Sequence, residues 1–252
     1  MDLQLLGKRA VVTGASRGIG KAIARQLARE GADVIVAARG LEALTATAEQ
    51  LACETGRRIR PVAVDTGRDE SVANLIAFAT EELGGIDVLV NNAATPGGAA
   101  PAVRLAEVST EALLEDVNVK VGGYLRTARA AAPLLTAAPW GRIVNIGGLA
   151  ARKTGLYIAS IRNVGVSALT KNIADELGAQ GVTVNAIHPG ATRTEKTTQE
   201  AAERAGQGVT IGRIVESEEI AYLTAFLASP LSAALNGQNL QAGGGAPGVI
   251  DY

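Results

Sequence analysis

Gly14, Gly18 and Gly20 lie in the stretch Thr13-Gly-Ala-Ser-Arg-Gly-Ile-Gly20, spaced Gly-x3-Gly-x-Gly. Glycines at such spacing let a backbone approach a phosphate with no Cβ in the way. If a helix starts here, its free N–H groups and positive dipole end favour an anion. The spacing is a variant of the common dinucleotide fingerprint, so nucleotide binding is the expected chemistry. A tight turn without a ligand is the alternative. A single histidine, His188, leaves no zinc constellation, and no metal is expected.

The elements around this turn must supply a strand before it and a helix after it. Ala10-Val11-Val12 is apolar, and Ile19, Ala22, Ile23, Gln26 and Leu27 follow at helical spacing. The same alternation recurs along the chain. Strands are predicted at 8–13, 33–38, 59–64, 86–90, 141–146, 182–187 and 238–241. Helices are predicted at 17–30, 41–54, 69–83, 109–136, 160–179, 196–205 and 217–228. Runs such as Val34-Ile35-Val36 and Val88-Leu89-Val90 are apolar throughout, as in strands covered on both faces. The expected fold is α/β: a single doubly wound Rossmann-type domain over 1–252, with a seven-stranded parallel sheet flanked by helices. The polar segment 191–212 follows the end of a strand, where ligands bind in such sheets. It reads as a substrate lid or as an ordinary surface excursion.

Composition narrows the partners. The chain has 252 residues, 47% of them hydrophobic, and a net charge of −1, which argues against disorder and against nucleic acid or acidic membranes as partners. One cysteine, Cys53, excludes an intramolecular disulfide. The apolar start before Gly7-Lys8-Arg9 is too short for a signal peptide, and no run is long enough to span a bilayer. A cytoplasmic protein is expected.

Several motifs then occur in one order: the glycine turn, Asn91-Asn92-Ala93, Asn118, Gly141-Arg-Ile-Val-Asn-Ile146, His188-Pro189-Gly190, Asn236-Gly237-Gln238 and Gly243-Gly244. Together they resemble the short-chain dehydrogenase/reductase family over nearly the whole chain. The resemblance implies a nicotinamide dinucleotide and a homodimer or homotetramer. It assigns Gly14, Ser16, Arg17, Gly18, Ile19 and Gly20 to the pyrophosphate. Asp65 would meet the adenine edge, and Asn91 and Ala93 the adenine ribose. Pro189, Gly190 and Thr194 would meet the nicotinamide carboxamide. Ala38 stands where an acidic side chain would select NAD(H), and Arg39 with Arg17 can pair a 2′-phosphate, so NADP(H) is expected over NAD(H).

The catalytic half departs from the pattern. The family uses a Ser, a Tyr, a Lys four residues after the Tyr, and an Asn on an earlier helix. Asn118 matches the last. Gly148 takes the place of the Ser, and no Ser occurs from 145 to 159. Gly165, Leu169-Thr170-Lys171 and Gly181 align without gaps, which puts the Tyr position at Ala159 and the Lys position at Asn163. Asn163 could still hydrogen-bond the nicotinamide ribose. Tyr157 comes two residues early, about 200° away on a regular helix. It serves only if it lies on a loop and turns inward. His188 is the other candidate proton donor, by its ordinary pKa and its place before Pro189-Gly190. Two readings follow: an oxidoreductase acting on a small carbonyl or alcohol through a non-standard proton donor, or a catalytically inactive NADP(H)-binding sensor or partner of an active relative.

Overall fold

The computed structural model describes residues 1–95, 104–137 and 140–247. Seven parallel strands form the sheet: β1 (Arg9–Thr13), β2 (Asp33–Ala38), β3 (Ile59–Ala63), β4 (Val88–Asn91), β5 (Gly141–Ile146), β6 (Val182–Pro189) and, last in the chain, β9 (Asn239–Ala242). Their order is β3-β2-β1-β4-β5-β6-β9. Strand alternation splits the apolar runs between two faces. Val12, Val36, Val90 and Val144 meet α1 (Gly18–Arg29), α2 (Leu41–Thr55) and, late in the chain, α8 (Ser217–Ala228). Val11, Ile35, Leu89 and Ile143 meet α3 (Asp69–Leu83), α5 (Gly123–Ala137) and α6 (Tyr157–Leu177). The expected doubly wound sheet is present. None of the helices among the described residues is long and apolar enough to cross a membrane.

The chain leaves β1 in one direction for β2 and reaches β4 on the other side, with Val12 paired to both Val36 and Val90. That reversal opens a crevice beyond the carboxyl ends of the strands, and ligands of such sheets bind there.

Two departures from the predicted elements shape the site. The expected helix 109–136 is broken into α4 (Thr110–Val117), a π-helical segment Asn118–Gly122, and α5. Gly123 brings this rod against the loop after β3: a Cβ there would sit 2.9 Å from Thr66 Cβ. Gly165 of α6 does the same for Val121, whose Cγ2 would be 3.0 Å from an added Cβ. Second, α6 starts at Tyr157, not 160, so Tyr157 belongs to the helix rather than to a loop. In the 191–212 segment, β7 (Thr192–Arg193) pairs with β8 (Val215–Glu216) just beyond it, and α7 (Gln199–Gly206) lies between them in the chain.

Candidate active site

The crevice holds a groove of about 610 Å³. Its floor is the turn between β1 and α1. Gly14 and Gly18 adopt φ of +67° and +55°, a region costly for side chains with a Cβ. Gly20 is required by packing: a Cβ would lie 2.2 Å from Gly14 O and 2.5 Å from Asn92 Nδ2. Asn92 clamps the turn, donating from Nδ2 to Gly14 O at 3.0 Å and to Thr13 O at 3.2 Å. Thr13 Oγ1 accepts from the backbone N–H of Asn92 and of Ala93, at 3.0 and 3.2 Å.

Helix α1 has no side-chain N-cap, since Arg17 at the cap position makes none. Its leading N–H, on Gly18, instead donates to the Glu195 carboxylate at 2.9 Å. A carboxylate of the chain itself therefore already occupies the helix end. The other walls carry Ser16, Ile19, Arg39, Asp65, Ala93, Ala94, Val119, Thr194 and Lys196. The tight glycine cradle, the anion-accepting N-terminus and the two arginines at the rim fit a dinucleotide.

Four residues expected on the cofactor do not line this groove. Asn91 is fully buried, and its side chain joins a polar chain through the core. Thr127 donates to Asn91 Oδ1 at 2.6 Å, Asn91 donates to Asn145 at 2.9 Å, and Asn145 donates to Thr170 at 2.9 Å. Its amide ties β4 and β5 to α5 and α6. Pro189 and Gly190 lie at the end of β6, where Gly190 packs against Gly243 and Leu149. Asn163 is buried and spends its amide inside the protein, donating to Ala159 O at 2.8 Å.

The candidate proton donors are not brought together either. Asn118 is exposed and turned away: its Oδ1 accepts from Arg126 at 2.6 Å, and its Nδ2 reaches toward Gly67 O at 3.4 Å. Asn118 is the first residue of the π-helical segment. His188 is 4% exposed and engaged on both ring nitrogens. Nδ1 lies 3.1 Å from Gly148 N and 3.2 Å from Gly148 O, and Nε2 lies 3.0 Å from Asn239 Oδ1 and 3.2 Å from Ser167 Oγ. Gly147 is needed for that placement, since a Cβ there would fall 2.4 Å from the ring. Tyr157 is 39% exposed on the first turn of α6 and has no hydrogen-bond partner among the described residues.

One charged group does enter this region, and sequence reasoning missed it. Lys120 is 4% exposed. Its Nζ donates to Gly147 O at 3.0 Å and to Asn163 Oδ1 at 3.1 Å. Burial, and then the charge of Arg162, push its pKa down to about 7, against a partial pull upward from Asp116. Asp116 of α4 and Arg162 of α6 form a buried ion pair, Arg162 Nη1 donating to both carboxylate oxygens at 2.7 and 2.8 Å. A lysine between two valines, Val119-Lys120-Val121, in an otherwise uncharged stretch was the available signal.

A parallel sheet with a glycine-cradled groove where the strand order reverses defines a dinucleotide-binding α/β protein. Residues 14–246 match the family described as enoyl-(acyl carrier protein) reductase. The chain is 35% identical to the 3-oxoacyl-(acyl-carrier-protein) reductase FabG of Pseudomonas aeruginosa, covering 96% of this chain and 98% of that one. It is 36% identical to the short-chain reductase protein NovJ of Streptomyces niveus, covering 94% and 93%. It superposes on the L-sorbose reductase of Gluconobacter frateurii, solved with NADPH and L-sorbose, with TM-score 0.91, 28% identity and coverage of 99% and 100%. A Burkholderia cenocepacia short-chain dehydrogenase solved with NADP gives TM-score 0.85, 32% identity and coverage of 96% and 98%. The chain belongs to the short-chain dehydrogenase/reductase family of oxidoreductases, which bind a nicotinamide cofactor.

Proposed function

We propose that this protein is an NADP(H)-dependent reductase of a small carbonyl compound, or the dehydrogenase of the matching alcohol, with a proton donor other than the usual tyrosine. The observation that carries this reading is the groove itself. Its glycine turn is built to hold an anion, and its rim has Arg17 and Arg39 beside the neutral Ala38. When bound, the reduced nicotinamide supplies a hydride.

The chain's own groups would bind and orient it. Gly14, Ser16, Arg17, Gly18, Ile19 and Gly20 hold the pyrophosphate, and Arg39 pairs the 2′-phosphate. Asp65 and Ala93 take the adenosine, and Thr194 sits on the opposite wall as part of the lid formed by 191–212. Gly148, Ala159 and Asn163 occupy the places of the family's Ser, Tyr and Lys. A tyrosine with pKa near 10 and no neighbouring cation would be a poor proton donor at neutral pH. The assembly is a homodimer or homotetramer.

An NADPH fluorescence titration followed by a carbonyl panel, read by loss of NADPH absorbance, tests the function. The panel should start with 3-oxoacyl thioesters and keto sugars, the substrates that the relatives' names suggest. Oxidation of NADPH by any of them is the expected result. Tight binding with no oxidation would establish the second reading, a binding protein without turnover. The turned-away Asn118 and the committed His188 favour that alternative.

Arg39→Ala gives a separate check on cofactor choice. A charge-assisted hydrogen bond contributes about 1.5–3 kcal/mol, so NADPH should weaken by about tenfold or more, while NADH changes little. Equal weakening of both, measured by the same titration, would remove the 2′-phosphate role.

A further inference from the structure

We infer that Lys120 is the acid–base residue of this site, giving its proton to the substrate oxygen in place of the tyrosine that the chain lacks. The inference rests on the reductase reading above.

Geometry carries it. Lys120 reaches the region from the π-helical segment, and the three side chains that would otherwise fill that region are absent or shortened. Gly148 has no side chain, and a Cβ there would be 3.1 Å from Asn163 Nδ2. Ala159 offers only a methyl group, with its carbonyl held by Asn163. The amine sits on the same Asn163 side chain and on the carbonyl next to Gly148. An ammonium has three donors. Gly147 O and Asn163 Oδ1 take two of them, and the third has no partner among the described residues.

The π segment explains why this residue and not Asn118 faces inward. Two helical positions differ by about 200°, so a rod that turns Asn118 out turns Lys120 in. Extra residues of this kind concentrate at functional sites.

The charged surroundings suit a proton donor. Asp116 on α4 and Arg162 on α6 act on the amine with opposite signs. Tyr124 on α5 donates to Ile146 O, and burial raises its pKa well above the usual phenol range, so it stays neutral. His188 on β6 is held by Gly148 and Asn239. Burial brings the amine close to half-protonated at neutral pH, the condition for efficient general acid–base catalysis.

The step balances. The carbonyl carbon accepts a hydride from the reduced nicotinamide, the C=O π bond breaks, and its electron pair goes to oxygen. Lys120 Nζ transfers one proton to that oxygen and becomes a neutral amine, which water reprotonates. Alcohol oxidation runs the same steps in reverse.

Two measurements test this. The first uses the cofactor-free protein with ¹³Cε-labelled lysine. The chain has six lysines, so the spectrum is simple. One signal should titrate near pH 7 and vanish in Lys120→Met. If every lysine titrates above about pH 9, the proposal fails whatever the variant does. The second is turnover. Lys120→Met and Lys120→Gln should lower kcat for carbonyl reduction by about 100-fold, with the NADPH Kd changed less than about threefold. In the native protein, reduction should fall as pH rises above 7, because the donor must be protonated, while alcohol oxidation rises. Turnover unchanged in both variants would overturn the role of Lys120 and leave the reductase reading standing. A native protein that binds NADPH and oxidises none of it overturns that reading, and the proton-transfer role with it, even if Lys120 titrates near 7.

Discussion

Gly20→Ala should weaken NADPH by about 100-fold and lower the thermal midpoint as well. The added Cβ would meet Gly14 O at 2.2 Å, Gly14 C at 2.8 Å and Asn92 Nδ2 at 2.5 Å. No flexible side-chain end can yield there, because two of the three atoms are backbone and the third holds the turn by hydrogen bonds. Overpacking of this kind costs about 1–3 kcal/mol in folding free energy. Binding suffers more, since the cradle exists only while Gly14, Gly18 and Gly20 keep their spacing. Gly40→Ala is the matched control. It lies on the same rim with nothing within 4 Å of an added Cβ, and it should leave the thermal midpoint nearly unchanged. Fluorescence titration and thermal denaturation of both variants decide the matter. Native affinity in Gly20→Ala would mean that the turn relaxes at little cost.

The second large effect belongs to Asp116. Its carboxylate takes both hydrogen bonds from Arg162 Nη1, and both side chains are almost fully withdrawn from water. Breaking a buried pair costs about 3–5 kcal/mol, because the remaining buried charge loses a partner that offset its desolvation. Asp116→Ala should therefore lower the midpoint by about 10 °C for a chain of this size. A chemical signature accompanies the loss. Asp116 raises the pKa of Lys120 and Arg162 lowers it, so removing the carboxylate moves the Lys120 titration below 7. A midpoint within about 2 °C of native would show that the pair contributes little.

The fold was legible because its signal is short-range. Apolar runs such as Val34-Ile35-Val36 and Val88-Leu89-Val90 announce strands covered on both faces, and the glycine turn marks where the first strand meets the first helix. The groove was legible for the same reason, since Gly14 through Gly20 are contiguous. Direction was harder. Asn91 and Asn92 are neighbours, and strand alternation sends their side chains to opposite sides. Motif position pointed to Asn91, while the structure gives the clamp on the turn to Asn92. Asn118 and Lys120 differ by the same two-residue ambiguity on a helix. Only the π segment decides which faces in, and no hydropathy period records a single π turn. The burial of His188 was not legible for another reason: its partners Ser167 and Asn239 lie far away in sequence.

Glu195 has a consequence for how fast and how tightly any dinucleotide binds. Its carboxylate holds the Gly18 N–H that a phosphate would need. The protein thus carries an intramolecular competitor, tethered by the β7–β8 pair at the base of its segment. The apparent affinity is the intrinsic affinity scaled by the fraction of molecules in which Glu195 has let go. A phosphate can take the Gly18 N–H only after the Glu195 carboxylate has left it.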